Sequence, residues 1–171
     1  MKHSIVLIAA LLTSPALADT PLPTPEKFTT CSATRKLCAT SDPASNTTLV
    51  FPQVSGQESW QIPGWHRWLF LSDVGESVVV GYSGMNLVPV EVTLDEPVLF
   101  FYNRNRLART IKLNQLYRHK PQLLRTVSHL AWVHNIGFNS SNQFVVELVN
   151  GDKLAFNPRT GSREPVRPDG S

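Results

Sequence analysis

Between residues 28 and 161 the apolar positions fall in short runs, each cut off within a few residues by Gly, Pro, Asn or Asp. That spacing belongs to half-buried strands joined by turns, not to amphipathic helices. The runs are residues 48–51, closed by Pro52; 66–71, aromatic and aliphatic; 77–82, rich in valine; 97–102; 110–113; 143–149; and 153–156. Asn150-Gly151, between the last two, predicts a hairpin closed by a type I′ turn. Residues 113–127 depart from the pattern. They carry Leu113, Leu116, Tyr117, Leu123 and Leu124, with Pro121 dividing them, which predicts one or two helical turns too short to fold alone. The expectation is a mainly β domain over residues 28–161, built of antiparallel hairpins with a short helical insertion.

A weak internal repeat organises the runs. Cys31-Ser-Ala-Thr-Arg-Lys-Leu-Cys-Ala39 aligns with Leu71-Ser-Asp-Val-Gly-Glu-Ser-Val-Val79 and with Phe138-Asn-Ser-Ser-Asn-Gln-Phe-Val-Val146. Each copy is a strand end, a polar turn and a new apolar strand, and each is followed by a further strand at residues 47–51, 98–102 or 153–156. The first two copies offer a fourth strand, at 60–62 and 110–113. In this the chain resembles the four-stranded meanders of β-propeller blades, whose first turn often reads Ser-x-Asp-Gly. Ser72-Asp73-Val74-Gly75 has those residue types with the aspartate one place early, and the other two copies lack the glycine. The resemblance spans about three blade-like units and implies sequential antiparallel pairing; it does not imply a closed ring, which needs roughly four blades. A β-sandwich or a rolled sheet of the same hairpins explains the strand pattern equally well.

The ends of the chain have a different character. Lys2, the apolar run 5–12 and Ala16-Leu17-Ala18 form a bacterial-type signal peptide over residues 1–18. The run is far short of the roughly 20 residues a membrane-spanning helix needs, and with Asp19 in place of a cysteine there is no lipobox and no lipid anchor is expected. The expected mature protein is soluble and periplasmic, and does not span the membrane. Residues 19–27, with Pro21, Pro23 and Pro25, read as an extended leader, and residues 162–171, with Pro165, Pro168 and Gly170, as a disordered tail.

Export gives the two cysteines their meaning. Cys31 and Cys38 enclose six residues suited to a tight hairpin, and an even count in an oxidising compartment predicts a disulfide. So small a loop contributes about 2–3 kcal/mol, enough to pin a hairpin more than a whole fold. The competing reading, a redox pair or half a metal site, lacks both C-x-x-C spacing and a neighbouring ligand.

No catalytic motif is present. His66, His119, His129 and His134 form no metal-ligand spacing, Gly81-Tyr82-Ser83-Gly84 reads as a turn and not a nucleophile elbow, and Asp95-Glu96 before Pro97 reads as a solvated loop. Neither a cofactor nor a metal is implied. Two features stand out. One is the string from Trp60 to Phe70, in which Trp68 is expected in the core, while Trp65, beside Pro63-Gly64, is a candidate binding residue on a turn. The other is charge. With Lys2 removed, 15 basic face 13 acidic residues, too balanced for a nucleic-acid partner, yet residues 104–125 hold Arg104, Arg106, Arg109, Lys112, Arg118, Lys120 and Arg125 and no acid. A solvated face explains such a run, but a separated basic patch also focuses a field for anions. The expected function is a non-catalytic binding protein, an inhibitor or accessory factor, whose partner is another envelope protein, with an acidic surface as the match to the basic segment. An anionic glycan or lipid headgroup bound by Trp65 and the arginines is the alternative, and an enzyme whose residues converge only in three dimensions comes third. An open sheet also leaves edges through which a homodimer can form.

Overall fold

The structure, a computed structural model, describes residues 21–167. The signal segment 1–18 and the last residues of the tail lie outside the described residues.

In chain order the strands are β1 (Phe28–Cys31), β2 (Leu37–Asp42), β3 (Thr47–Pro52), β4 (Trp60–Pro63), β5 (Leu69–Leu71), β6 (Ser77–Gly81), β7 (Leu87–Pro89), β8 (Pro97–Asn103), β9 (Arg106–Lys112), β10 (Leu124–Arg125), β11 (His129–Ala131), β12 (Val133–Phe138), β13 (Phe144–Leu148), β14 (Lys153–Phe156) and β15 (Arg163–Glu164). They form four antiparallel sheets. Three are four-stranded meanders: β1-β2-β3-β4, β5-β6-β8-β9 and β12-β13-β14-β15, here called the first, second and third sheets. These are the three repeat units, and the third also has a fourth strand, β15. The remaining sheet, β10-β11-β7, is small and comes from outside the repeat: β7 lies between the second and third strands of the second sheet, and β10 and β11 lie between the second and third units. No closed barrel forms.

The layering follows from side-chain alternation on β5 and β6. Val78, Val80, Leu69 and Leu71 enter one core with Leu37, Val50, Trp60 and Ile62 of the first sheet. Val79, Leu99 and Phe101 enter the other with Phe144, Val146 and Phe156 of the third. The inner strands of the second sheet are therefore buried on both faces, which is why all of β6 is buried and reads as a continuous valine run, while the edge strand β9 is mostly exposed. Aromatic rings cross to the third sheet, with Phe70 and Phe101 edge-on to Phe144 at 5.2 and 5.6 Å between centroids.

The three first turns are alike in backbone. The fifth residue of each repeat copy is left-handed: Arg35 at φ 59°, Gly75 at φ 80° and Asn142 at φ 56°. The glycine missing from two copies is thus replaced by Arg and Asn in the same conformation, Asn being the commonest non-glycine there. The turns are also linked to one another. The Thr34 N–H and hydroxyl both donate to Asp73 Oδ1, at 2.7 and 2.6 Å, and the Ser72 hydroxyl donates to Asn142 Oδ1 at 2.8 Å. Burial pushes the Asp73 carboxyl up, but the Thr34 bonds, with help from Ser32, outweigh it and hold the group below its usual value. Each such bond contributes about 0.5–1.5 kcal/mol, less than one buried Leu or Phe at about 1.5–3 kcal/mol. The cores hold the layers together, and the turn bonds set how they align.

The insertion is helical only in two 3₁₀ turns, Leu113–Gln115 and Lys120–Gln122. Pro121 sits within the first positions of the second turn instead of separating two pieces. Tyr117, buried between them, donates its hydroxyl to the Trp132 carbonyl and accepts from the Val149 N–H at 3.2 Å. Burial pushes this phenol up to about 12. The disulfide joins Cys31 and Cys38, directly opposed on β1 and β2.

Four expectations need correction. The tail is ordered as far as Arg167: β15 pairs with β14, and the Gln143 side chain donates to Pro165 O at 2.9 Å and accepts from the Arg167 N–H at 2.8 Å. The hairpin at Asn150-Gly151 is real but not type I′, because only Gly151 of the pair has a positive φ, 90°. Its bonds, Gly151 N–H to Leu148 O and Leu148 N–H to Asp152 O, mark a three-residue loop with a left-handed glycine. Residues 66–68 precede β5 as a loop. β9 begins at Arg106, four residues earlier than its apolar run, because charged side chains on an exposed edge erase the alternation.

Trp68, expected in the core, is half-buried and packs against it. It packs 6.1 Å from Trp132 and 5.4 Å from Phe70 and covers Gly81 so closely that a Cβ there would lie 2.5 Å from the indole. Gly81→Ala is expected to lower stability by about 1–3 kcal/mol through overpacking, read as a drop in the urea midpoint; an unchanged midpoint would contradict this packing.

Candidate functional site

The basic residues do not form one surface cluster. Arg104 turns toward the first sheet, its guanidinium 5.5 Å from the Trp60 ring centre and 3.8 and 3.6 Å from Glu58 and Glu76. Lys112 lies 3.8 Å from Asp95. Arg109 packs its aliphatic stem on Gly161, in the turn before β15. Arg106 is exposed on β9, Arg118 and Lys120 belong to the insertion, and Arg125 is exposed on β10. Among the described residues, Arg106, Arg109, Arg118, Lys120 and Arg125 are in no ion pair. β9 is an edge strand of the second sheet, so three of the seven, Arg106, Arg109 and Lys112, line one sheet edge.

Trp65 lies elsewhere. Gly64, left-handed at φ 95°, turns the chain out of β4 and lets the His66 ring pack against it. Trp65 is half-buried: its indole N–H donates to Glu26 O at 2.9 Å, Phe28 meets it edge-on at 6.5 Å, and the Arg67 guanidinium lies 5.0 Å from its ring centre. Arg67 in turn donates to Pro23 O at 3.0 Å. Two carbonyls of the leader thus hold Trp65 and Arg67 in place.

Trp65 and Arg67 border two cavities. One, about 290 Å³, is roofed by the leader at Pro23, Thr24 and Glu26. The other, about 280 Å³, opens at the end of the second sheet where β5 begins, β6 ends and β8 begins, and adds His66, Tyr82, Glu96 and Phe100 to its wall. None of the seven basic residues of the 104–125 segment lines either one. Sequence reading missed Arg67, Tyr82 and Glu96. Glu96 looked like a loop acid before proline, Arg67 was hidden among aromatics, and only the pairing of β6 between β5 and β8 brings them together.

The titrating groups here feel burial first. Burial pushes His66 down from its usual value against a 2.9 Å bond to the Pro63 carbonyl, so at neutral pH the ring is uncharged, with Nε2–H donating and Nδ1 left as an acceptor. Burial raises the Tyr82 phenol, and the negative charge of Glu96 raises it further. Among the described residues no three His, Cys, Asp or Glu side chains are grouped to hold a metal ion. What this arrangement offers is recognition: fixed charges of both signs, aromatic walls and a neutral imidazole in a space of small-molecule size.

No known protein-family profile matches the chain, and no curated protein is found to match it.

A histidine whose pKa is lower folded than unfolded contributes stability that is whole above the unfolded value, about 6.5, and declines as the pH falls from there toward the folded value. Asp42 and Glu164, held low chiefly by hydrogen bonds from Lys27 and from Asn157 and Gln143, lose their contributions only in the carboxylate range below that. The urea midpoint should therefore start to fall just below about pH 6.5, and His66→Gln should abolish that first step while leaving the more acidic one. An identical pH profile in the variant would contradict the burial of His66.

Proposed function

We propose that this chain is an exported, non-catalytic binding protein of the bacterial periplasm that docks an acidic protein surface along β9 and the insertion that follows it. The observation that carries the reading is the set of five cations without acidic partners among the described residues, Arg106, Arg109, Arg118, Lys120 and Arg125, on and beyond an exposed sheet edge. Arginine suits such docking because its planar fork pairs two carboxylate oxygens at once. The edge supports it too, since the outward backbone groups of a seven-residue edge strand can accept an added strand from a partner.

The reading of residues 1–18 as a signal peptide supports export, and so does the Cys31–Cys38 disulfide, which needs an oxidising compartment. No helix among the described residues is long and apolar enough to cross a membrane. A protein partner is favoured over a sugar stacked on Trp65 because the Trp65 ring is already flanked by Arg67 and Phe28.

Affinity capture from a periplasmic extract tests this, comparing the wild type with a variant carrying Arg106→Ser, Arg109→Ser, Arg118→Ser and Arg125→Ser. Arg104 and Lys112 are left in place because they already pair with acids. A partner held by the wild type at low salt, released as salt rises past about 0.15 M where screening is strong, and lost by the variant is the expected result. A partner held equally by both proteins, or indifferent to salt, would overturn the basic segment as the contact.

A further inference from the structure

The cavity of about 280 Å³ beside Trp65 is lined by two opposite charges that the fold does not pair. Arg67 and Glu96 both line it, carry opposite charges, and form no ion pair with each other or with any described residue. Their positions explain why. Arg67 lies on the segment leading into β5 and Glu96 on the segment leading into β8, while β6, between those strands, ends at the same place. Two strand spacings, about 10 Å of backbone, separate the two segments. Rooted that far apart, the two side chains line the same cavity without pairing.

Each charge is placed by contacts that leave it capacity for a ligand. The Arg67 guanidinium is fixed by the Trp65 ring and by one bond to Pro23 O, which leaves further N–H donors unused. Glu96 is anchored through its backbone, its N–H donating to Thr93 O at 3.2 Å and its carbonyl accepting from Leu113 N–H at 3.0 Å. Its negative charge also raises the Tyr82 phenol, which burial raises first. The wall includes the rings of Trp65, Tyr82 and Phe100. His66, the remaining titratable neighbour, is uncharged at neutral pH and so does not bias the field between the two ions.

From this we infer that the cavity binds a small zwitterion, its anionic end on Arg67, its ammonium on Glu96 and its apolar part against the aromatic wall. A lone anion or a lone cation would leave one of the two charges uncompensated in a half-buried site, whereas a zwitterion meets both. The inference is independent of the basic segment. Two sources present this chemistry, a free α-amino acid with an apolar side chain and a phosphoethanolamine headgroup.

Calorimetric titration of the full chain with L-leucine, L-phenylalanine and phosphoethanolamine, each paired with Trp fluorescence, tests it. Leucine methyl ester and N-acetyl-leucine, which lack the carboxylate and the ammonium respectively, serve as probes of the two ends. Binding of an amino acid, weakened about tenfold or more by loss of either end as expected for a charge-assisted contact, identifies the free amino acid as ligand. Preferred binding of phosphoethanolamine identifies the headgroup. In either case Glu96→Gln should weaken binding about tenfold or more. Because Arg67 also helps hold the leader, Arg67→Lys, which keeps the charge and loses the fork, is compared with Arg67→Gln, and the thermal midpoint of each is recorded. The expected order of affinity is wild type, then Lys, then Gln. No binding of any of the three ligands by a folded wild type would overturn the inference, and so would binding that Glu96→Gln leaves unchanged.

Discussion

The burial of the second sheet on both faces is the constraint on which the rest of the molecule depends. A four-stranded meander has one apolar face to hide if it is an outer layer and two if it is a central one. Here the valines of β6 alternate between two cores, and the first and third sheets each cover one side. Among the described residues neither outer sheet enters the other's core, and each packs its buried residues on the middle layer. The Cys31–Cys38 bridge, tying β1 to β2, strengthens one outer layer and does not join layers.

That architecture also locates the candidate sites. At one end of the second sheet, the turn bonds from Thr34 to Asp73 and from Ser72 to Asn142 clamp the three layers in order. At the opposite end, where β5 starts and β6 stops, the loop of Trp65 to Arg67 is bonded to the first sheet through His66 N–H to Ser41 Oγ at 2.8 Å, and that loop, the β6 terminus and the Glu96 segment leave a cavity between them. The basic edge is a consequence of the same order of strands, since β9, the outermost strand of the central sheet, is mostly exposed and has an open side. Charges along β9 suit that open side whether or not a partner is present, because lysine and arginine on an edge discourage indiscriminate strand pairing.

Much of the fold was legible in the sequence because alternation and turn chemistry are local. The repeat copies beginning at Cys31, Leu71 and Phe138 became the first hairpins of three sheets, and their shared left-handed position, Arg35, Gly75 and Asn142, shows that the alignment was structural even where the glycine was absent. What escaped was non-local. β7 and β11 pair across more than 40 residues, from Leu87 to Ala131, and no local pattern encodes that pairing. β15 is two residues long and depends on Gln143 to hold the chain beyond it. The candidate residues divided in the same way. The seven cations were visible as a run of like charge, but their division among a Trp60 stack, an Asp95 pair and an open edge was not. The opposition of Arg67 and Glu96 was invisible because they are far apart in sequence and meet only through the order of the strands.

Amide hydrogen exchange measured strand by strand is the most direct test of the central layer. The account predicts that β6 and β8 exchange slowest and only through global unfolding, with β1, β4 and β15 opening at lower cost and the small sheet of β7, β10 and β11 lower still. Exchange from β6 as fast as from the outer strands, or protection of the first and third sheets after the second has opened, would contradict it.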